Sequence, residues 1–428
     1  MLKNALRSIK DDFSRSLFYW LIFVLTSMFM FLFFNLSYSD VVGVRFIHAK
    51  NDMATFTTVF VIAVCMIVIF FANDFYVKKK SKDLAMRLVC GGTYFQIARY
   101  LLYQTGILFL LAIPVGIGLS IICIPLINSV LSVYLNSSYL LVVSNDAISS
   151  TFLILFIEII WCTVLNLGYS YRSSIHTLIH NPITYHLTVT FPFLFSFHIS
   201  KKVKQFIAGA MFVCPIIMFY MIDHNPESIM VLAIVGMIGF YLSIDMIVIP
   251  LINEYINYRH IDQPEFLVYM GLIRNDLLLM KKNIILLIVS DIMILAILVT
   301  SLQNPIEVML SIISFVVLNI LLSLSIMFKY STEIVTRRYI FQNIERLGYT
   351  RDKQNCILRK EVFGLYGFII GVALFYILNI FCVIYLQQLL EMGIIICLIL
   401  CFLIPLLICG FINLKYYQSK MLKESKNV

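Results

Sequence analysis

Residues 54–80 read ATFTTVFVIAVCMIVIFFANDFYVKKK. Positions 54–73 hold no charged residue, and then Asp74, Lys78, Lys79 and Lys80 follow within one short stretch. Twenty uncharged, mostly apolar residues at about 1.5 Å of rise each match the ~30 Å hydrocarbon core of a bilayer. The stretch therefore reads as a transmembrane helix, and the lysines at its end mark the cytoplasmic side.

The same pattern recurs along the whole chain. Of 428 residues, 61% are hydrophobic and only 13% are charged, against roughly 25% charged in a soluble domain. Too little polar surface exists to cover a water-soluble core. Apolar windows place about ten spans, near 17–37, 54–75, 106–131, 147–170, 205–222, 229–252, 284–302, 308–330, 364–385 and 393–414. The fold class expected is an all-α polytopic membrane protein. The run 187–199 is too short to cross and contains Pro192 and His198, so it reads as an interfacial or buried segment on the cytoplasmic side. The first span follows a polar-rich stretch and lacks a small-residue cleavage site, so it reads as a retained span and not a signal peptide.

With the amino terminus inside, all but two of the 32 lysines and arginines fall on inside segments; Arg45 and Lys50 are the exceptions. Both termini are accordingly expected in the cytoplasm. The net charge of +9 is then a topology signal directed at anionic inner-leaflet lipid, and nucleic-acid binding is not implied. The ten cysteines lie mostly inside apolar stretches with no CxxC, so no disulfide framework or zinc site is expected and the thiols read as small packing residues.

Two stretches look like copies. Residues 78–118 read KKKSKDLAMRLVCGGTYFQIARYLLYQTGILFLLAIPVGIG, and residues 336–373 read TRRYIFQNIERLGYTRDKQNCILRKEVFGLYGFIIGVA. In each, a basic cluster precedes Arg-Leu (Arg87 and Leu88; Arg346 and Leu347), then a glycine with a nearby threonine (Gly91 and Thr93; Gly348 and Thr350), then a polar helix running into a span. The approaches to spans one and seven also match, Ala5-Leu6-Arg7 against Leu272-Ile273-Arg274. The expected order is a four-span module over 1–175, a two-span linker over 176–270 and a second four-span module over 271–428. Each copy reads as an amphipathic helix along the membrane, broken by glycine. Leu84, Leu88, Phe95 and Ile97 are expected to face lipid or protein, with Lys82, Asp83 and Arg87 toward the cytoplasm. Such an element can receive force from a soluble partner; the plainer alternative is a solvated loop that anchors headgroups.

The stretch 73–118 resembles the FtsX-like (MacB-type) permease signature of ABC transporters. The resemblance rests on Lys78, Lys79, Lys80, then Asp83-Leu84-Ala85, Arg87-Leu88, Gly91, Gln96-Ile97, Pro114, Gly116 and Gly118. Asp83 stands where glutamate is commoner. The second copy is degenerate, keeping Arg346-Leu347-Gly348 and Lys360-Glu361. The 4+2+4 layout resembles BceB-like permeases of bacterial cell membranes, which act in antimicrobial-peptide resistance and signalling. Those carry a large extracellular domain between spans seven and eight, where this chain has only residues 303–307. The resemblance implies a separate ABC ATPase, two copies of which dock at the two glycine-broken helices and hold the ATP-Mg.

The chain itself has no GxxxxGK[ST] loop and no Gly-Lys pair, so no nucleotide site is expected in it. No catalytic arrangement of Ser, His or Cys stands out, and a permease subunit is expected, not an enzyme. Three acids fall inside expected spans, Glu158, Asp245 and Asp291, none with a basic residue at matching depth. Intramembrane acids mark proton or cation sites or hydrogen bonds between helices. Asp245 and Asp291, on adjacent spans at similar depth, are expected to be able to meet. His176, His180, His186 and His198 share one linker without a nearby cysteine or carboxylate, so no metal site is expected. Two further function classes stay open: a sensory scaffold reporting peptide stress to a histidine kinase, and a proton-coupled carrier using Asp245 and Asp291.

Overall fold

In a computed structural model of the chain, the residues described are 2–38, 52–135, 142–172, 201–221, 226–259, 264–302, 304–386 and 390–422. The linker histidines and the run 187–199 lie outside them. Among the described residues every long element is a helix, as runs of apolar residues without interior glycine pairs or turn signals dictate in lipid, where each backbone group must find its partner within the segment. Among the described residues nine helices are long and apolar enough to cross a membrane: within Ser16–Ser37, Ala54–Lys79, Tyr94–Ser129, Asn145–Tyr171, Ile234–Ile256, Glu265–Thr300, Ile306–Glu333, Arg351–Leu386 and Met392–Ser419. The protein is an all-α, multi-pass membrane protein. The remaining expected span, 205–222, falls largely on a shorter helix, Lys201–Phe219, which opens on Lys201, Lys202 and Lys204.

The chain divides into two compact units, Met1–Tyr185 with Asn304–Leu310, and His186–Gln303 with Ser311–Val428. The first contains α1 (Leu2–Asp11), α2 (Phe13–Ser37), α3 (Asp52–Lys79), α4 (Ser81–Val89), α5 (Tyr94–Leu135) and α6 (Asn145–Arg172). Helix α2 is its centre and packs on α3, α5 and α6. A Cβ at Gly116 of α5 would stand 2.7 Å from the Val24 carbonyl and 3.1 Å from the Met28 nitrogen of α2. The two backbones approach that closely only because the residue is glycine.

The second unit contains α7 (Lys201–Phe219), α8 (Pro226–Ser243), a single π segment (Ile244–Val248), α9 (Ile249–Arg259), α10 (Pro264–Thr300), most of α11 (Pro305–Arg346), α12 (Arg351–Leu386) and α13 (Met392–Leu422). Helix α10 is the most buried of the spans and packs on α8 and α12; α12 packs on α13 and α7. The two helices of the expected linker thus lie in one unit with α10, α12, α13 and most of α11. Large apolar side chains on α5, α6 and α13, among them Leu110, Phe156, Trp161, Leu407 and Phe411, point outward. In a membrane these are the lipid-facing side chains, which apolar solvent accepts at no cost.

Candidate functional site

Each unit carries the same device at the end where the lysines and arginines collect. In the first unit α4 ends at Gly91, which holds φ +88°. The amide of Gly91 donates to the carbonyl of Leu88 (3.0 Å) and that of Gly92 to Arg87 (2.9 Å). This is a Schellman termination, which requires a left-handed residue after the last helical one and therefore favours glycine. The next helix starts with a reciprocal cap: the Thr93 amide donates to Gln96 Oε1 (3.2 Å) and the Gln96 amide to Thr93 Oγ1 (3.3 Å). In the second unit α11 ends at Gly348, φ +89°. Gly348 donates to Glu345 (2.9 Å) and Tyr349 to Ile344 (3.3 Å), the same two bonds in the same register.

Eleven residues before each glycine stands a buried cation. Lys80 precedes Gly91, and Arg337 precedes Gly348, by that same interval. The Lys80 ammonium, 2% exposed, donates to Ser8 Oγ (2.8 Å) and pairs with Asp12 (2.9 Å). Arg337 pairs with Asp276 of α10 and with Glu361 of α12, all three buried. Tyr330 donates to Glu361 Oε1 (3.2 Å) and Tyr417 to Glu361 Oε2 (3.4 Å). In both units a cation at the end of the module's second span is thus tied to an acid at the approach to its first. The interval also relates Glu361 to Gln104, each thirteen residues past its glycine; Gln104 is likewise buried and donates to Tyr100 Oη (2.9 Å).

The residues singled out in the sequence divide between the two sides of this elbow. Lys78 pairs with Asp74 (2.7 Å), and Lys79 lies over the Phe75 ring. Leu84 is buried with Ala5, Val77, Ala85, Ile97, Tyr100 and Leu101, and Leu88 packs against that cluster. Asp83 sits in the first turn of α4, and Arg87 lies over the Tyr100 ring with 3.8 Å to its centroid. Arg346 is exposed at the end of α11, and Lys360 lies over the Tyr269 ring. Lys80, Leu84 and Glu361 are inside, so they shape the elbow and do not offer a surface. The outer surface is apolar: Met86, Val89, Tyr94 and Phe95 in the first unit, and Leu347, 77% exposed, in the second. Asp12, Asp276 and Arg337 escaped the sequence reading. The recurring interval from cation to glycine was the signal that could have found Arg337 from Lys80; Asp12 and Asp276 come from other segments with no local signature.

The acids within the spans are placed differently from expectation. Asp245 was expected to lack a basic partner, but it forms an ion pair with Lys281, whose ammonium also lies 3.7 Å from the centroid of the Tyr241 ring. Lys281 precedes the expected span 284–302, yet α10 is continuous from Pro264, and a lysine stem is long enough to reach along it. Asp245 falls in the π segment. Pro250 has no N–H to give the Met246 carbonyl one turn back, and Gln205 Nε2 of α7 donates to that carbonyl instead (3.0 Å). Asp291 is bonded by Asn319 of α11 (2.8 Å). Asp245 and Asp291 therefore serve different partners, and Lys281 and Asp291 are ten residues apart on α10, about 15 Å along the axis. Glu158 of α6 is buried, and neither carboxylate oxygen has a hydrogen-bond partner among the described residues. Among the described residues no group of three His, Cys, Asp or Glu side chains is placed to hold a metal ion.

Fold and site together define a multi-pass helical membrane protein with a repeated glycine elbow braced by a buried cation. No family model matches the chain, and no curated protein matches it.

Proposed function

We propose that this protein is the permease subunit of an ABC transporter with FtsX-like (MacB-type) modules in a bacterial cell membrane. A separate ATPase, bound as two copies, docks on the two elbows and drives movement or expulsion of an amphipathic substrate such as an antimicrobial or signalling peptide. The observation that carries this reading is the paired elbow: the same Schellman glycine, eleven residues after a buried cation, in each of two units. A passive headgroup anchor needs no such repeated bracing. An element that transmits force must be rigid on its inner side and offer contact on its outer side. Lys80 and Arg337 supply the first, and Met86, Val89, Phe95 and Leu347 supply the second.

The test is capture of the ATPase by tagged protein from membranes, with substrate-dependent ATP turnover of the purified complex. Wild type is expected to capture the ATPase. The Gly91→Val, Gly348→Val double variant is expected to reach the membrane and lose both capture and coupled turnover. Wild-type behaviour of that variant would reduce the elbows to anchors and remove the ground for the permease reading.

A further inference from the structure

Helices α10 and α11 enclose a buried polar pair that the permease reading does not use. Asp291 is 1% exposed and Asn319 0%. Both hydrogens of the Asn319 amide are committed, one to Asp291 Oδ1 (2.8 Å) and one to the Phe315 carbonyl (2.9 Å). The orientation of the amide is therefore fixed, and its own oxygen is left over. Three buried oxygens here have no partner among the described residues: Asp291 Oδ2, Asn319 Oδ1 and, one helical turn along α11, Ser323 Oγ.

Among the described residues Asp291 forms no ion pair. On the helices packed against α10, Asp245 pairs with Lys281, Lys329 donates to Asn283, Glu361 pairs with Arg337, Tyr330 donates to Glu361 and Tyr376 to the Phe212 carbonyl. An ionised carboxylate with one hydrogen bond in hydrocarbon surroundings is far costlier than its neutral acid, and such a group takes up a proton instead. A protonated carboxyl is also a donor, and the Asn319 amide oxygen in this layer is an acceptor without one.

We propose that Asp291 and Asn319 form a proton-binding site in the interior of the second unit, with Asp291 resident as the neutral acid. Asn319 Nδ2 donates to Asp291 Oδ1, which is the carbonyl oxygen of that acid, and the proton sits on Asp291 Oδ2. The proton comes from water. Ser323 and then the Asn283–Ser325 pair (2.7 Å), which Lys329 also reaches (3.3 Å), form a polar file along the α10–α11 seam toward the basic end of the unit. Among the described residues the first unit has no counterpart on α2, and its buried acid Glu158 is on α6.

Infrared difference spectroscopy on the full chain in lipid bilayers tests it. Wild type minus Asp291→Asn at pH 7 is expected to show the carbonyl stretch of a protonated carboxylic acid, with Glu158 and all other acids cancelling. Asn319→Ala is expected to keep the band and move it to higher frequency, because the amide bond to Oδ1 is lost. That second comparison reads the site even where Asp291→Asn does not fold. Carboxylate bands in place of the acid band would overturn the proposal. So would an acid band that Asn319→Ala leaves unmoved, and so would loss of the band on adding sodium at fixed pH, which would assign the oxygens to a metal cation.

Discussion

The Lys80 ammonium lies 2.9 Å from the Asp12 carboxylate, joining the turn between α3 and α4 to the segment that leads into α2. Burial works against that charge, but the neighbouring Tyr76 and Asp12 more than offset it, and the ammonium is held above the ordinary lysine value of 10.5. A cation with a raised folded pKa contributes its full stability below the unfolded value and loses it only as pH rises through the folded one. The latch is thus complete at neutral pH and opens only in the alkaline range.

Replacing Lys80 by Met keeps the stem and removes the charge. Breaking a fully buried ion pair costs ~3–5 kcal/mol. Asp12 is partly exposed and water can screen it, so the loss here is expected below that range. Thermal unfolding in detergent should show a lower midpoint for Lys80→Met, with Lys80→Arg close to wild type. An unchanged midpoint in Lys80→Met would show that the latch bears no load.

The second latch is more demanding, since Arg337 serves two buried carboxylates. Arg337→Met alone strands both and is expected to be severely destabilising, by several kcal/mol. Adding Asp276→Asn and Glu361→Gln to it removes the stranded charges and should recover much of the loss. Expression level and unfolding midpoint of the single and triple variants give the coupling directly. A triple variant less stable than Arg337→Met would contradict it.

At Gly91 and Gly348 a Cβ would meet nothing within 4 Å. The requirement for glycine is therefore purely one of backbone conformation, about 1–2 kcal/mol for an ordinary L-residue. Asparagine visits the left-handed region readily, so Gly91→Asn should keep the elbow while Gly91→Val distorts it. The exposed thiol of Cys90, next to the turn, reports the difference. Its labelling rate should match wild type in the Asn variant and change in the Val variant. Equal rates in all three would mean that the turn does not depend on φ.

The distribution of lysine and arginine sets the direction of insertion. In a background with the native cysteines replaced, single cysteines at Val142 and Glu391 should react with an impermeant reagent added outside intact cells. Those at Gln342 and Ser419 should react only after permeabilisation. External labelling at Gln342 would invert the topology.

Sequence alone was enough for the class and much of the plan of this protein. A span announces itself because lipid demands some twenty apolar residues in a row, and the elbow because a helix that must stop and turn uses glycine: both are local requirements. The expected span 205–222 corresponds to the shorter α7, whose start is crowded by three lysines. What the sequence could not supply was who meets whom across the helices. The absence of a lysine at the depth of Asp245 was inferred from window boundaries, and Lys281 crosses that boundary because α10 begins well before its apolar run. Asp276, Arg337 and Glu361 come from three helices, and only their packing shows that they share one buried cluster. Asp291 and Asn319 became a pair by the same route. Length and hydropathy are properties of a segment and are written in it, whereas the partner of a buried charge is decided by helix rotation and register, which only the folded chain sets.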